Sequence, residues 1–243
     1  MLEIGYNHPY EIRRYLYPFE RASGTTILYL SDLHYTRFSK RQAENIAADI
    51  NNINPAIILL GGDYADSGKG LQYFKQMITS IEPRKHIFAI AGNHDRMRIQ
   101  QVRKIIEDTH VTWLHDRSAI VKAGALTIRI DGNSPARKPA DADLSILCLH
   151  KPIDISKIAH HYNLIFAGHL HGSQVVLWET PNGLYPGRLL YKWNRLSADL
   201  GHCRYLISKG LGDTLPVRYN CPKDAILVKL THPSIQPKTN PQQ

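Results

Sequence analysis

Cysteine is scarce in this 243-residue chain, and the three present, Cys148, Cys203 and Cys221, lie far apart. An odd and scattered set excludes a disulfide framework or a zinc knuckle and reads as three reduced packing residues. Long apolar runs are missing as well. Stretches such as "AIILL" at 56–60 fall far short of the ~20 residues a membrane-spanning helix needs. The opening "MLEIGYNHPYEIRRYLYPFE" has no apolar core of the signal-peptide kind, so the cytoplasm is the expected compartment. Negative charge is also in deficit: 21 Asp and Glu face 30 Lys and Arg, a formal charge of +9. Such a surface attracts anions, but charge alone does not choose among nucleic acid, an anionic membrane leaflet, a phosphorylated substrate and plain solubility.

What the sequence has is enough apolar content, 43%, for a globular core. With no repeat and no dividing linker, residues 1–231 read as one domain. The polar, proline-rich "HPSIQPKTNPQQ" at 232–243 reads as a disordered tail. The front half alternates strand and helix patterns. Strands are expected at 26–32, 56–63 and 86–92. Helices are marked by Ala43, Ile46, Ala47 and Ile50, by Leu71, Phe74, Met77, Ile78 and Ile81, and by Ile99, Val102, Ile105 and Ile106. Ser39 and Gln42 suggest a capping box for the first helix. This order implies a parallel sheet with crossover helices. After Trp113 the texture turns to short strands at 118–121, 126–131, 144–150, 164–168, 175–178, 203–207 and 225–230. One short helix near 155–160 interrupts them, which predicts a second sheet packed on the first.

The strand ends carry the chemistry. Asp32 and His34 follow "ILYLS", and Asp63 follows "AIILLGG". Asn93, His94 and Asp95 follow "IFAIAG", His150 follows "SILCL", and His169 and His171 follow "NLIFAG". Singly, each group is ordinary turn chemistry. Together, five strand ends supply hard-metal ligands to the end of a parallel sheet where open α/β folds place their ligands. Asp32, His34, Asp63, Asn93, His150, His169 and His171 are too many donors for one zinc ion. They suit two ions sharing a carboxylate, the arrangement that clamps a phosphoryl group, and Asp63, on the central strand, is the natural bridge.

The ordered blocks "DLH", "GGD", "GNHD", "LHKP" and "GHLHG" resemble the calcineurin-like metallophosphoesterases over about residues 26–230. The resemblance implies an α/β (α+β) fold, a four-layer αββα sandwich of two mixed sheets flanked by helices. It implies one divalent ion at Asp32, His34, Asp63 and His171, and a second at Asp63, Asn93, His150 and His169. Manganese is the expected metal, with iron, zinc or magnesium as alternatives. His94 would face the phosphate as a non-ligand catalytic residue, with Asp95 as its partner.

The stretch "GLGDTLPVRYNCPKDAILVKL" further resembles a bacterial subgroup that includes UDP-2,3-diacylglucosamine pyrophosphatases. This chain departs from many of them in having no apolar anchor among its first residues and "DLHYT" in place of "DLHLG". Arg96 and Arg98, expected at the start of the third helix, are candidate substrate-binding residues because the helix dipole disfavours cations there. "LYPGRLLYKWNRL" at 184–196 mixes aromatic and basic residues, as an edge hairpin or a lipid-interface loop would. The expected activity is hydrolysis of a lipid- or nucleotide-linked phosphoester or phosphoanhydride, with peripheral contact to an anionic membrane. A nuclease or cyclic-nucleotide phosphodiesterase is the alternative enzyme, although nucleic acid has only the basic charge in its favour. A non-catalytic scaffold would not need the full ligand set or His94.

Overall fold

In the computed structural model the described residues are 1–5, 8–22, 24–82, 86–135 and 141–235. The tail expected at 232–243 lies outside them from 236 onward. In chain order the front half comprises β1 (Leu2–Ile4), β2 (Tyr10–Pro18), β3 (Thr26–Leu30), α1 (Lys40–Ile53), β4 (Ile57–Leu60), α2 (Gly68–Thr79), β5 (His86–Ala89), α3 (Ile99–Glu107) and β6 (Val111–Trp113). The back half is largely strand: β7 (Ser118–Ala123), β8 (Leu126–Gly132), β9 (Leu144–Cys148), β10 (Leu164–Ala167), β11 (Val176–Thr180) and β12 (Gly183–Pro186). These are followed by the single turn α4 (Gly187–Leu190), then β13 (Ser197–Leu200), β14 (Cys203–Ile207), β15 (Val217–Tyr219) and β16 (Lys223–Thr231).

Two six-stranded mixed sheets form the framework. The first runs β2-β16-β3-β4-β5-β6, with β3 to β6 parallel and β16 antiparallel to β3. The second runs β13-β14-β10-β9-β8-β7, parallel from β14 to β8 and antiparallel at both edges. The period of two decides which residue faces which layer. Ile27, Tyr29, Ile57 and Leu59 point toward the second sheet and meet Ile128, Ile146, Leu164 and Phe166. Their neighbours Leu28, Leu30, Ile58 and Leu60 point outward against Ile46, Ile50, Phe74 and Ile78 of α1 and α2. The fold is therefore the expected mixed α/β arrangement of two sheets, with its helices concentrated on the first.

Three local expectations change. The outer cover of the second sheet is not an α-helix: Ile155, Ala159 and Tyr162 pack there from a loop closed by a 3-10 turn at Ala159–His161. The capping box does not form, because Gln42 turns inward and its amide donates to the Leu211 carbonyl, while the Ser39 hydroxyl accepts the Thr36 N–H. The 184–196 segment is not itself a hairpin. Its first residues, β12, pair with the upstream β11, and the chain then turns through α4. No helix among the described residues is long and apolar enough to cross a membrane.

Candidate metal centre

The strands stop earlier than their apolar runs suggest, and the residues after each stop form the site. β3 ends at Leu30 and β4 at Leu60, after which the Asp32 N–H donates to the Gly62 carbonyl and the His34 N–H to that of Asp63. Asp32, His34, Asp63, His169 and His171 all have positive φ, between 44° and 72°. Left-handed backbone at a non-glycine residue costs on the order of 1 kcal/mol or more, and its concentration at five expected ligands marks a functional site. Gly62, at φ 94°, makes the turn feasible, since a Cβ there would lie 2.3 Å from the Gly92 nitrogen.

All seven expected ligands converge. On one side, His150 Nε2 lies 2.9 Å from Asn93 Oδ1, 3.2 Å from His169 Nδ1 and 3.3 Å from Asp63 Oδ2. On the other, His34 Nε2 lies 3.7 Å from the same Asp63 Oδ2, and His171 Nε2 lies 3.7 Å from Asp32 Oδ1. Asp63 Oδ2 thus faces both groups, as a bridging carboxylate must.

Several atoms that face away from this convergence are engaged elsewhere, whereas His171 Nδ1 is buried with no hydrogen-bond partner among the described residues. Asp32 Oδ2 accepts the His169 N–H and Asp63 Oδ1 accepts the His94 N–H. His150 Nδ1 is 2.9 Å from the Gly61 carbonyl, and His34 Nδ1 is 3.0 Å from Asp66. Such outer partners fix imidazole orientation and leave the other nitrogen for a metal.

Metal ions fit this donor set. Asp32 Oδ1 and His34 Nε2 are buried with no hydrogen-bond partner among the described residues. Burial of unpaired polar atoms is unfavourable unless something compensates, and here the chemistry of the facing donors points to cations. Three groups among the described residues could hold an ion, and two of them, Asp32–His34–His171 and Asp63–His150–His169, consist of expected ligands alone, the third being His34–Asp66–His94. Bound at the first two, divalent cations supply positive charge to a phosphoryl group in its transition state.

Burial and neighbouring charges compete in setting the ionisation of these groups. Burial opposes ionisation of Asp32, yet His171, His150 and His34 outweigh it and hold the carboxyl at about 2. Burial likewise opposes a charged His150, but Asp63 and Asp32 raise it to about 9. His171 shows the opposite balance: burial pushes it down to about 4 despite Asp32.

His94 sits at the rim, its side chain 43% exposed and packed edge-on against His34. The carboxylate beside it differs from the expected one. Asp95 is buried and accepts backbone N–H groups of Asp63, Tyr64 and Gly92, pinning the "GNHD" turn to the loop after β4. Asp66 instead lies 3.5 Å from His94 Nδ1 while also holding His34, three residues after Asp63 in "GGDYAD". The substrate candidates separate as well. Arg96 and Arg98 belong to a 3-10 turn, His94–Arg98, that precedes α3. Arg96 lines a cavity beside Asn93, His150 and His169, whereas Arg98 is not among its lining residues.

A second supporting device was not legible in the sequence. The loop at 210–212 hydrogen-bonds the backbone of Ser31 and Asp32. The Arg218 guanidinium ties that loop down through the Lys209 and Gly212 carbonyls, and Asp213 pairs with both Arg218 and Lys223. All three charges are buried. Removing Asp213 leaves two buried cations without their shared carboxylate, so Asp213→Ala is expected to lose about 3–5 kcal/mol of stability in urea titrations. A loss below about 1 kcal/mol, the range of an exposed ion pair, would show that the cluster does not hold the loop. The cysteines are free and buried, as expected, and Cys221 also donates its S–H to the His171 carbonyl.

Phosphodiesterase YaeI of Escherichia coli (strain K12) is 25% identical over 228 residues, covering 87% of this chain and 84% of that protein. The uncharacterized metallophosphoesterase YkoQ of Bacillus subtilis (strain 168) is 25% identical over 211 residues, covering 77% of this chain and 76% of that one. Among solved structures, the phosphopantetheinyl hydrolase PptH of Mycobacterium tuberculosis aligns at a TM-score of 0.49 and 11% identity, over 89% of this chain and 99% of that one. Residues 25–173, which carry every expected ligand, match the calcineurin-like phosphoesterase family, and the chain is a metallophosphoesterase belonging to it.

Proposed function

We propose that the protein is a dinuclear, manganese-preferring hydrolase that cleaves a phosphoester or phosphoanhydride in a lipid-linked substrate at an anionic membrane surface. The observation that carries the dinuclear reading is the single oxygen, Asp63 Oδ2, faced by His34 from one side and His150 from the other. In this reading Asp32, His34, Asp63 and His171 hold one ion, and Asp63, Asn93, His150 and His169 the other. His94, oriented by Asp66, stabilises charge on the phosphoryl group or protonates the leaving oxygen.

The lipid assignment rests on what borders the centre. A hollow of about 390 Å³ over Asp63, His94 and His171 is walled by Tyr191. Tyr191 directly follows α4, whose Leu189 and Leu190 are 74% and 81% exposed. Adjacent apolar side chains held this far into water suit insertion into a leaflet, and the net charge of +9 adds attraction to anionic headgroups. The basic residues of the same segment are hydrogen-bonded near the surface: Arg188 to the Asn182 carbonyl, Arg195 to those of Ser197 and Pro181, and Lys192 to Asp154. Bonds to neutral carbonyls leave the two arginines their charge, so binding should depend on the leucines and on these cations together.

Co-sedimentation with phosphatidylglycerol vesicles, run beside hydrolysis of a nucleotide-linked acylated sugar and of DNA, tests the reading. Replacing Leu189 and Leu190 with Ser is expected to weaken vesicle binding by about tenfold or more, since each buried leucine contributes about 1.5–3 kcal/mol. No vesicle binding together with efficient DNA cleavage would make the protein a nuclease instead.

A further inference from the structure

The cavity beside the Asn93, His150 and His169 end of the centre occupies about 720 Å³. Four cations line it: Arg96, Arg103 of α3, Arg117 and Lys151. None of the four has an ion-pair partner among the described residues, although Arg13, Arg21, Arg129, Arg204, Arg218, Lys75 and Lys209 all do. The one carboxylate in the lining, Asp116, accepts the Ser134 hydroxyl through Oδ1 and turns Oδ2 toward His115 Nε2 at 3.7 Å, so it pairs with none of the four. Like charges gathered round one concavity repel each other unless an anion joins them.

The cavity is also built to hold its donors still. Trp113 and His115, two residues apart on the chain leaving β6, stack at 5.8 Å, and the Arg103 guanidinium lies 5.8 Å from the Trp113 ring. His115 Nδ1 accepts from the Ala91 N–H and the Asn133 side-chain amide. Its proton therefore sits on Nε2, which faces the Asp116 carboxylate at 3.7 Å. Asn133 meanwhile accepts the backbone N–H of His150 and donates to the Ala91 carbonyl. A fixed bonding chain thus joins the cavity wall to a metal-ligating residue, so a group seated in the cavity is held in register with one at the centre.

We propose that this cavity binds a second phosphoryl group of the substrate, carried on the arm away from the lipid, with Arg103 and Arg117 as its main contacts. The inference rests on the hydrolase reading above and narrows it to a substrate carrying two linked phosphates rather than a simple diester. Guanidinium groups suit the assignment because they bind phosphate oxygens bidentately, and Arg103 is pre-oriented by the ring beneath it.

Equilibrium binding separates this inference from catalysis. Methylenediphosphonate, with two non-hydrolysable phosphorus groups, and methylphosphonate, with one, are titrated calorimetrically into manganese-loaded protein. The R103M/R117M double variant should lose about tenfold or more in methylenediphosphonate affinity and change by less than about threefold for methylphosphonate. Both positions are exposed, so circular dichroism should confirm an intact fold. Equal losses for the two probes, or none for either, would overturn the inference whether or not the protein hydrolyses a lipid substrate. Loss of single-stranded DNA binding with unchanged methylenediphosphonate affinity would overturn it in favour of a nucleic-acid groove.

Discussion

Asp63→Asn protein is expected to fold, to purify poor in metal and to hydrolyse a generic phosphodiester at least ~10²-fold more slowly than wild type, the upper end of the about 10–100-fold cost of losing only an outer partner. The substitution is nearly isosteric. An Asn at this position keeps an oxygen for the His94 N–H that Asp63 Oδ1 now accepts, so the turn has no reason to rearrange. What disappears is the negative charge that Oδ2 presents to His34 at 3.7 Å and His150 at 3.3 Å. A shared carboxylate offsets repulsion between two dications, and a neutral amide does so far less. Both sites should weaken together. An Asp63→Asn enzyme of full activity would remove the bridge from the account.

His94→Ala should behave in the opposite way with respect to metal. It is expected to retain wild-type metal content and fold while losing ~10²-fold or more in turnover, the usual contribution of a positioned general acid. The reasons are geometric. The side chain is 43% exposed and approaches Asp66 rather than the convergent donor atoms, and its one contact with the bridge is made by backbone, which alanine preserves. Asp66→Asn should be distinguishable from it, because Asp66 also holds His34 Nδ1. Disturbing that partner is expected to cost about 10–100-fold in metal affinity along with activity. Elemental analysis beside turnover on one diester sorts the two, and metal loss from His94→Ala would place His94 among the ligands.

The convergence of the candidate ligands could be read from the chain because each hangs from an apolar run, and the parallel order carries the run ends to one place. The same reasoning located both sheets, since buried strands such as Ile57–Leu60 are continuous apolar runs. It failed where partners are distant or where adjacency misleads. Asp95 follows His94 directly, yet it faces backward onto three backbone amides, and the nearby carboxylate comes from Asp66, 28 residues earlier in the chain. β2 was invisible because "YEIRRYLYP" interleaves charge at a sheet edge, where one face meets water. The Asp213–Arg218–Lys223 cluster gave no periodic signal, being a loop charge and two strand charges buried together. Gln42 matched a cap by spacing alone, and a hydrogen bond to Leu211, far along the chain, took precedence.

The central claim is that two ions flank one carboxylate oxygen. Anomalous diffraction from crystals of manganese-loaded protein tests it most directly. The account predicts two peaks about 3.5–4 Å apart, one toward Asp32, His34 and His171 and one toward Asn93, His150 and His169, with Asp63 Oδ2 between them. A single peak at saturating manganese, or a second peak away from Asp63, would contradict it.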